Sequence, residues 1–435
     1  MRTGKSQFID LGAALGRRQL LQRGLVLGAG LAGVALGGCG GSAAQPSPTA
    51  ASPSGSGASA KPASSAVSAP ASPSGASAKP AASAASVPAS GAASGSPAVA
   101  TSWDSMVAAA KSEGQVVVAG PPDTDTRNKL PAAFKQAFGI ELQYLGQNSS
   151  QVATRMASER ASNQYTLDVM LAGADTVYET LVAKGWLDPL KPALLMPGVN
   201  DAANWKTGKP WFRDSKQDTV LQLFNTVTAT VTLNPQFVKA TDIPTADALL
   251  DPKWTGKIGA FDPSANGIGL PVGAVLYISK GPDFATKLYK GQNVALTQDY
   301  KQVADWVAHG NYPIGIAVAQ NYLLPYQNAG ITFATPELSD AHSSVAGGFG
   351  LVCLINNAPH PNAARVLANW MAGKDGLTLF SQTQEQVPVR TDIDATWIPK
   401  GLIPQPGINY LDSYDPQFVL STRAPIKAFY TKLLK

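Results

Sequence analysis

The stretch QVVVAGPPDTDTRNKLPAAFKQAFGIELQYLG, residues 115–146, decides the fold. QVVVAG is a short apolar run of strand length, and NKLPAAFKQAF places Leu130, Phe134 and Phe138 at helical spacing before Gly139 stops it. IELQYLG then alternates as Ile140, Leu142 and Tyr144, the period of a strand. Strand, helix, strand repeats outward from here. Upstream, SWDSMVAAAKSEG puts Trp103, Met106, Val107 and Ala110 on one helical face between a Ser102 cap and a Gly114 stop. Downstream, SSQVATRMASERA turns Val152 and Met156 inward, LDVMLAG is a strand, and ADTVYETLVAKG is a helix capped by Asp175 with Val177 and Leu181 on one face. Short apolar strands alternating with amphipathic helices predict a parallel sheet covered on both faces. In such sheets ligands sit beyond the carboxyl ends of the strands, here the loops 120–127 and 172–175.

A second set follows. GKIGAFD, NVALTQ and YPIGIAVAQ are strands, and DYKQVADWVAHG is a helix with Val303 and Val307 inward. Their strand-end loops are 262–269, 297–299 and 319–322. Between the sets lies the β-branched run TVTATVTLNPQFV; later GGFGLVCLINN is a strand and HPNAARVLANWMAG a helix with Ala364, Leu367 and Met371 inward. The economical fold is α/β and two-lobed, with two extended crossings and a cleft between lobes as the binding site. The expected division is residues 102–232 with 349–435 as lobe 1 and 233–348 as lobe 2. The closing segment RAPIKAFYTKLLK reads as a helix packed on the first lobe.

The first hundred residues differ in kind. Residues 1–39 are a basic leader followed by the Gly/Ala-rich apolar run GLVLGAGLAGVALGG, and Leu36-Gly37-Gly38-Cys39 resembles a bacterial lipobox. That resemblance implies a lipoprotein signal peptide ending at an acylated Cys39, each buried methylene of the lipid adding roughly 0.8 kcal/mol of membrane affinity. Gly16-Arg17-Arg18-Gln19-Leu20-Leu21-Gln22 resembles a twin-arginine motif, which leaves that route and general secretion both open. Residues 40–101 are almost wholly Ala, Ser, Pro and Gly, a composition that predicts a disordered tether. Of the formal charge of +5, the leader carries +4 and the tether +2, so residues 102–435 sum to −1 and give no reason to expect nucleic acid. Two cysteines, Cys39 and Cys353, make neither a disulfide framework nor a zinc site, and Cys353 in its apolar run reads as a small buried hydrophobe.

The segments AAAKSEGQVVV, FKQAFGIELQYL, ATRMASERASNQYTLDVMLAG, VTLNPQFV, LLDPKWTGKIGAFDP and VALTQDYKQVADWVAHGNYPIGI, in that order, resemble the extracellular solute-binding proteins of bacterial ABC importers, in the branch that includes ferric-iron binders. The likeness covers most of residues 103–390. It implies a type II periplasmic-binding-protein-like fold, each lobe a mainly parallel sheet, with two hinge crossings. It also implies lobe closure on a small-molecule or anionic solute and docking on a membrane ABC permease. The chain would then be extracytoplasmic, lipid-anchored and monomeric. By the resemblance, Asp123, Thr124, Asp125, Thr126, Gly173, Ala174 and Asp175 would line the cleft from the first lobe. Ser264, Asn266, Gln298, Gln320 and Tyr322 would line it from the second. Iron-binding relatives use adjacent tyrosines; here Tyr322 stands alone with Tyr326 four residues on, so an organic solute and ferric iron both remain readings.

Trp211, in GKPWFRD, is a further candidate for stacking on a ligand. The three histidines, His309, His342 and His360, sit in turn-like contexts and read as exposed, and no H-E-x-x-H, P-loop or nucleophile-elbow motif appears in residues 102–435. Glycosidase chemistry needs two carboxylates across a cleft, for which Asp123 or Asp125 with Asp262 can be nominated. The expectation is a binder with no cofactor and no catalytic residues, with a hydrolase or a ligand sensor as the alternatives.

Overall fold

The computed structural model describes residues 102–435. The leader, the lipobox with Cys39 and the tether lie outside the described residues. Among the described residues thirteen strands form three sheets: β1 Gln115–Gly120, β2 Glu141–Gly146, β3 Val169–Ala172, β4 Leu187–Asp188, β5 Leu221–Gln222, β6 Thr226–Val227, β7 Val231–Leu233, β8 Ile258–Phe261, β9 Ala295–Thr297, β10 Ile314–Ile316, β11 Ser344–Ala346, β12 Leu351–Ile355 and β13 Leu411–Asp412.

The first sheet runs β2-β1-β3-β12-β4, with β5 also paired to β12. β1 lies parallel to β2 and β3, whereas β12 is antiparallel to β3, β4 and β5. The sheet is therefore mixed, because β12 returns from the second half instead of arriving through a crossover helix. Its period of two is clear in the packing. Val169, Leu171, Val352 and Leu354 face one core with Phe134, Leu367 and Phe380. Met170, Ala172, Leu351, Cys353 and Ile355 face the other with Val152, Met156 and Leu181. Cys353 is fully buried, and burial pushes its thiol far up.

Helix ends follow their side chains. Trp103–Glu113 starts on a Ser102–Ser105 capping box and stops at Gly114 with φ 76°. Thr124–Phe138 is capped by Asp123, whose carboxylate accepts Thr126 N–H at 2.7 Å, and stops at Gly139 with φ 71°. This helix begins six residues before the apolar spacing shows, so Thr124, Asp125 and Thr126 form its first turn and not an open loop. Tyr300–Ala308 is capped by Asp299.

The second sheet, β7-β10-β8-β9, is parallel except at β7. Its core joins Leu233, Ile258, Phe261, Leu276, Leu288 and Ile314. β6 and β11 pair antiparallel between the two halves, and β13 adds to β11 in parallel. From β13 the tail makes a third link. Tyr414 and Val419 pack into the first half's core, whereas Ile426 and Tyr430 of helix Ala424–Leu433 pack into the second's. The closing helix thus sits on the second half, contrary to the sequence reading. Tyr430 is fully buried, donates its hydroxyl to Gly273 O at 2.8 Å and meets the Tyr289 ring edge-on at 5.3 Å. Burial of that ring and of Ile426 in the second core is what fixes the helix there.

His360 is also not exposed. It is half-buried, and its Nδ1 pairs at 2.9 Å with Asp168, a carboxylate of zero exposure that also accepts the Val117 and His360 backbone N–H groups. His309 and His342 are exposed as expected. Among the described residues no helix is long and apolar enough to cross a membrane.

Candidate functional site

A cleft of about 1100 Å³, counting its mouth onto solvent, opens between the two large sheets. Its walls come from the starts of elements that follow strands. After β2, Asn148, Ser149 and Ser150 open helix Ser149–Ala161, and after β3, Gly173 caps a helix whose first residues are Ala174, Asp175 and Thr176. After β8, Asn266, Gly267 and Ile268 lead into helix Gly269–Lys280, and after β10, Gln320 and Tyr322 form a single turn. The crossing segments supply Thr226–Ala229, Ala346 and Phe349, and the tail supplies Tyr414 and Arg423. Unsatisfied backbone N–H groups at several helix starts give the cleft a field that favours negative charge.

The loop at Asn266 leaves no slack. A Cβ at Gly269 would stand 2.5 Å from the carbonyl oxygens of Phe261 and Asp262, so only glycine lets the helix start fold back on β8. Lys427 of the closing helix holds Asn266 Oδ1 at 2.5 Å and Glu179 at 3.4 Å.

Six of the residues named from the sequence line this cleft: Gly173, Ala174, Asp175, Asn266, Gln320 and Tyr322. Asp175 does not cap its helix. It is buried in the first turn and ion-paired with Arg423. Asp123 and Thr126 lie behind the wall, where Gln384 Nε2, itself on the cleft, donates to Asp123 Oδ2 at 2.7 Å and Thr126 Oγ1 at 2.8 Å. Burial raises the Asp123 carboxyl against these hydrogen bonds. Thr124 is exposed, and Asp125 is exposed and paired with Lys129 at 2.6 Å. Ser264 and Gln298 turn to Asp262: Ser264 gives it a backbone N–H and its hydroxyl at 2.8 and 2.6 Å, and Gln298 Nε2 approaches at 3.1 Å. Trp211 packs on the first core with the Arg213 guanidinium 4.6 Å over its ring, a structural role in place of stacking on a ligand. The carboxylates nominated for a hydrolytic pair are thus engaged in caps and turns.

The tyrosines are rearranged as well. Tyr326 turns its hydroxyl to Asp305 and meets His309 edge-on, away from the cleft. Tyr322 instead stacks on Tyr300 with centroids 5.4 Å apart, and both line the cleft with Tyr414. Burial pushes all three phenols up; the Asp123 charge adds to this at Tyr322, and Asp175 at Tyr300 and Tyr414. They are neutral hydroxyls at ordinary pH. Among the described residues no group of three or more His, Cys, Asp or Glu is placed to hold a metal ion.

Sequence reasoning missed Asn148, Ser149, Ser150, Thr226, Tyr300, Gln384, Tyr414 and Arg423. The loop after β2 carried the same strand-end signal as 120–127 and 172–175. Arg423 carried none, since it stands 248 residues from Asp175.

A sequence profile described as bacterial extracellular solute-binding protein matches residues 129–401. Iron uptake protein A1 of Synechocystis sp. is 22% identical over 280 residues, covering 61% of this chain and 73% of that protein. Among solved structures, iron-bound HitA from Pseudomonas aeruginosa aligns with a TM-score of 0.55 at 16% identity, over 73% of this chain and 99% of its own. AfuA from Actinobacillus pleuropneumoniae with bound fructose 6-phosphate aligns with a TM-score of 0.59 at 16% identity, over 74% and 98%. At such identities the structural likenesses speak for the fold, which is that of the type II periplasmic binding proteins. With the profile spanning more than half of its length, the chain belongs to the bacterial extracellular solute-binding proteins, the transport receptors that serve ABC importers.

Proposed function

We propose that this receptor is held at the outer face of a membrane through a lipid on Cys39, and that it closes on a small polar solute with an anionic group and presents it to an ABC permease. The observation that carries the ligand class is the convergence of helix starts from both halves, with Arg423, on one cleft. Residues 102–232 and 349–423 would move as one lobe and 233–348 as the other, with the closing helix riding on the second. The test is thermal denaturation and small-angle scattering of the exported protein against a panel of small solutes. A bound solute raises the melting temperature by mass action and lowers the radius of gyration by lobe closure. A panel of sugars, amino acids, carboxylates and phosphate esters that produces neither change refutes the reading.

Ferric iron is the second reading, favoured by the three tyrosines on the cleft and by the iron named for two of the three relatives above. It would use Tyr300 and Tyr322 in place of the pair Tyr322 and Tyr326. Titration with ferric citrate decides it: tyrosinate ligands give a visible charge-transfer band, and a colourless protein excludes them.

A further inference from the structure

We infer that Arg423 is the residue that recognises the solute's anionic group, a carboxylate or phosphate, with Asp175 as its permanent internal counter-ion. This rests on reading the cleft as the solute site. Arg423 lines the cleft and is 1% exposed. A guanidinium offers five N–H donors. Nη2 donates to Asp175, Nη1 reaches Ser413 O only at 3.4 Å, and the Nε–H is buried with no partner. An idle donor on a buried cation is expensive to maintain, and is explained when another molecule completes it. Asn148 Oδ1, on the wall that the first half contributes, is likewise buried without a partner. The two idle atoms ask for complementary things: an oxyanion at Arg423 and a hydroxyl or amine donor at Asn148. A hydroxylated or aminated small organic anion supplies both.

Asp175 orients the guanidinium through Nη2 and leaves the Nε–H to the ligand. Its own charge opposes the incoming anion, which gives the arrangement a sign that a merely structural ion pair would lack. Removing the Asp175 charge should preserve or strengthen anion binding, and removing the Arg423 charge should weaken it at least tenfold. Lys cannot replace Arg here, because an ammonium has no second edge to offer while still paired with Asp175.

The test is ligand affinity by thermal shift and calorimetry on the exported protein. Citrate, glycerol 3-phosphate and inorganic phosphate are the anionic probes, with glycerol and glucose as neutral ones. The wild type should respond to at least one anion. Arg423→Gln should bind it at least tenfold more weakly and Arg423→Lys about tenfold more weakly, while Asp175→Asn binds it as tightly or more tightly. Because Arg423→Gln strands a buried carboxylate, the double substitution Asp175→Asn with Arg423→Gln, which leaves no unpaired charge, is measured alongside; near-UV dichroism reports its fold. Wild-type affinity in either Arg423→Gln protein overturns the inference, as does weaker binding by Asp175→Asn. A wild type that responds only to glycerol or glucose, or to none of these probes, overturns it, while the receptor reading stands or falls on the wider panel above.

Discussion

Glu385 offers a quantitative test of how this molecule meets pH. It ends helix Lys374–Gln384 with φ 48°, is 7% exposed, and sits between Gln384 and Gln386, which both line the cleft. Burial raises its carboxyl from 4.5 to about 7. Below about pH 4.5 it is protonated whether the chain is folded or not, and its neutral form contributes fully. Between 4.5 and about 7 the unfolded chain has released the proton while the folded one retains it, so stability falls as pH rises. Above about 7 both forms are ionised and the loss is complete. The shift corresponds to at most about 3 kcal/mol, and screening at the edge of the cleft reduces this to roughly 2 kcal/mol. Glu385→Gln should therefore match the wild type at pH 4 and exceed it by roughly 2 kcal/mol at pH 8, on the order of 4 °C in melting temperature. Glu385→Gly should exceed Glu385→Gln by about 1 kcal/mol at every pH, because glycine adopts positive φ without strain. The assay is urea unfolding followed by fluorescence across pH 4–9. A difference between Glu385→Gln and wild type that does not change with pH refutes the reasoning.

Four other outcomes follow from single contacts. Tyr430→Ala should cost about 3–5 kcal/mol and make helix Ala424–Leu433 the first site of limited proteolysis; an unchanged melting temperature would mean the tail does not anchor the second half. Asp168→Ala removes the acceptor of two half-buried backbone N–H groups and the His360 ring, and should lower stability by about 3 kcal/mol in chemical denaturation. Gly269→Ala, which drives a Cβ into two backbone oxygens, should destabilise by more than about 2 kcal/mol, whereas Gly401→Ala, with open space around it, should stay within about 0.5 kcal/mol. Asp125→Asn breaks only an exposed pair with Lys129 and should change melting temperature by less than its experimental scatter and leave solute affinity unaltered.

The parts of the fold that were legible in the sequence are those fixed by local chemistry. Gly114 and Gly139 stop helices with positive φ, and the Ile140-Leu142-Tyr144 alternation lies on β2 and the residue before it. What periodicity lacks is direction: the apolar run 351–355 says strand but not that β12 runs against β3. The start at Thr124 was hidden because Pro-Pro-Asp-Thr-Asp has no apolar face, although Asp three residues before Thr126 is a cap signal. In the cleft, strand-end position found Gly173, Asp175, Asn266 and Tyr322, since connectivity alone puts those loops at one end of a sheet. Arg423, Tyr414 and Gln384 escaped because their places are set by packing with segments far away in sequence.

The closing helix has a consequence for biogenesis. The second half's interior contains Tyr430, far downstream of that half's last strand, β10, so that interior cannot close until helix Ala424–Leu433 has left the ribosomal tunnel. A nascent chain halted before Tyr430 would expose an apolar gap lined by Tyr277, Tyr289 and Gly273 to whatever chaperone waits there.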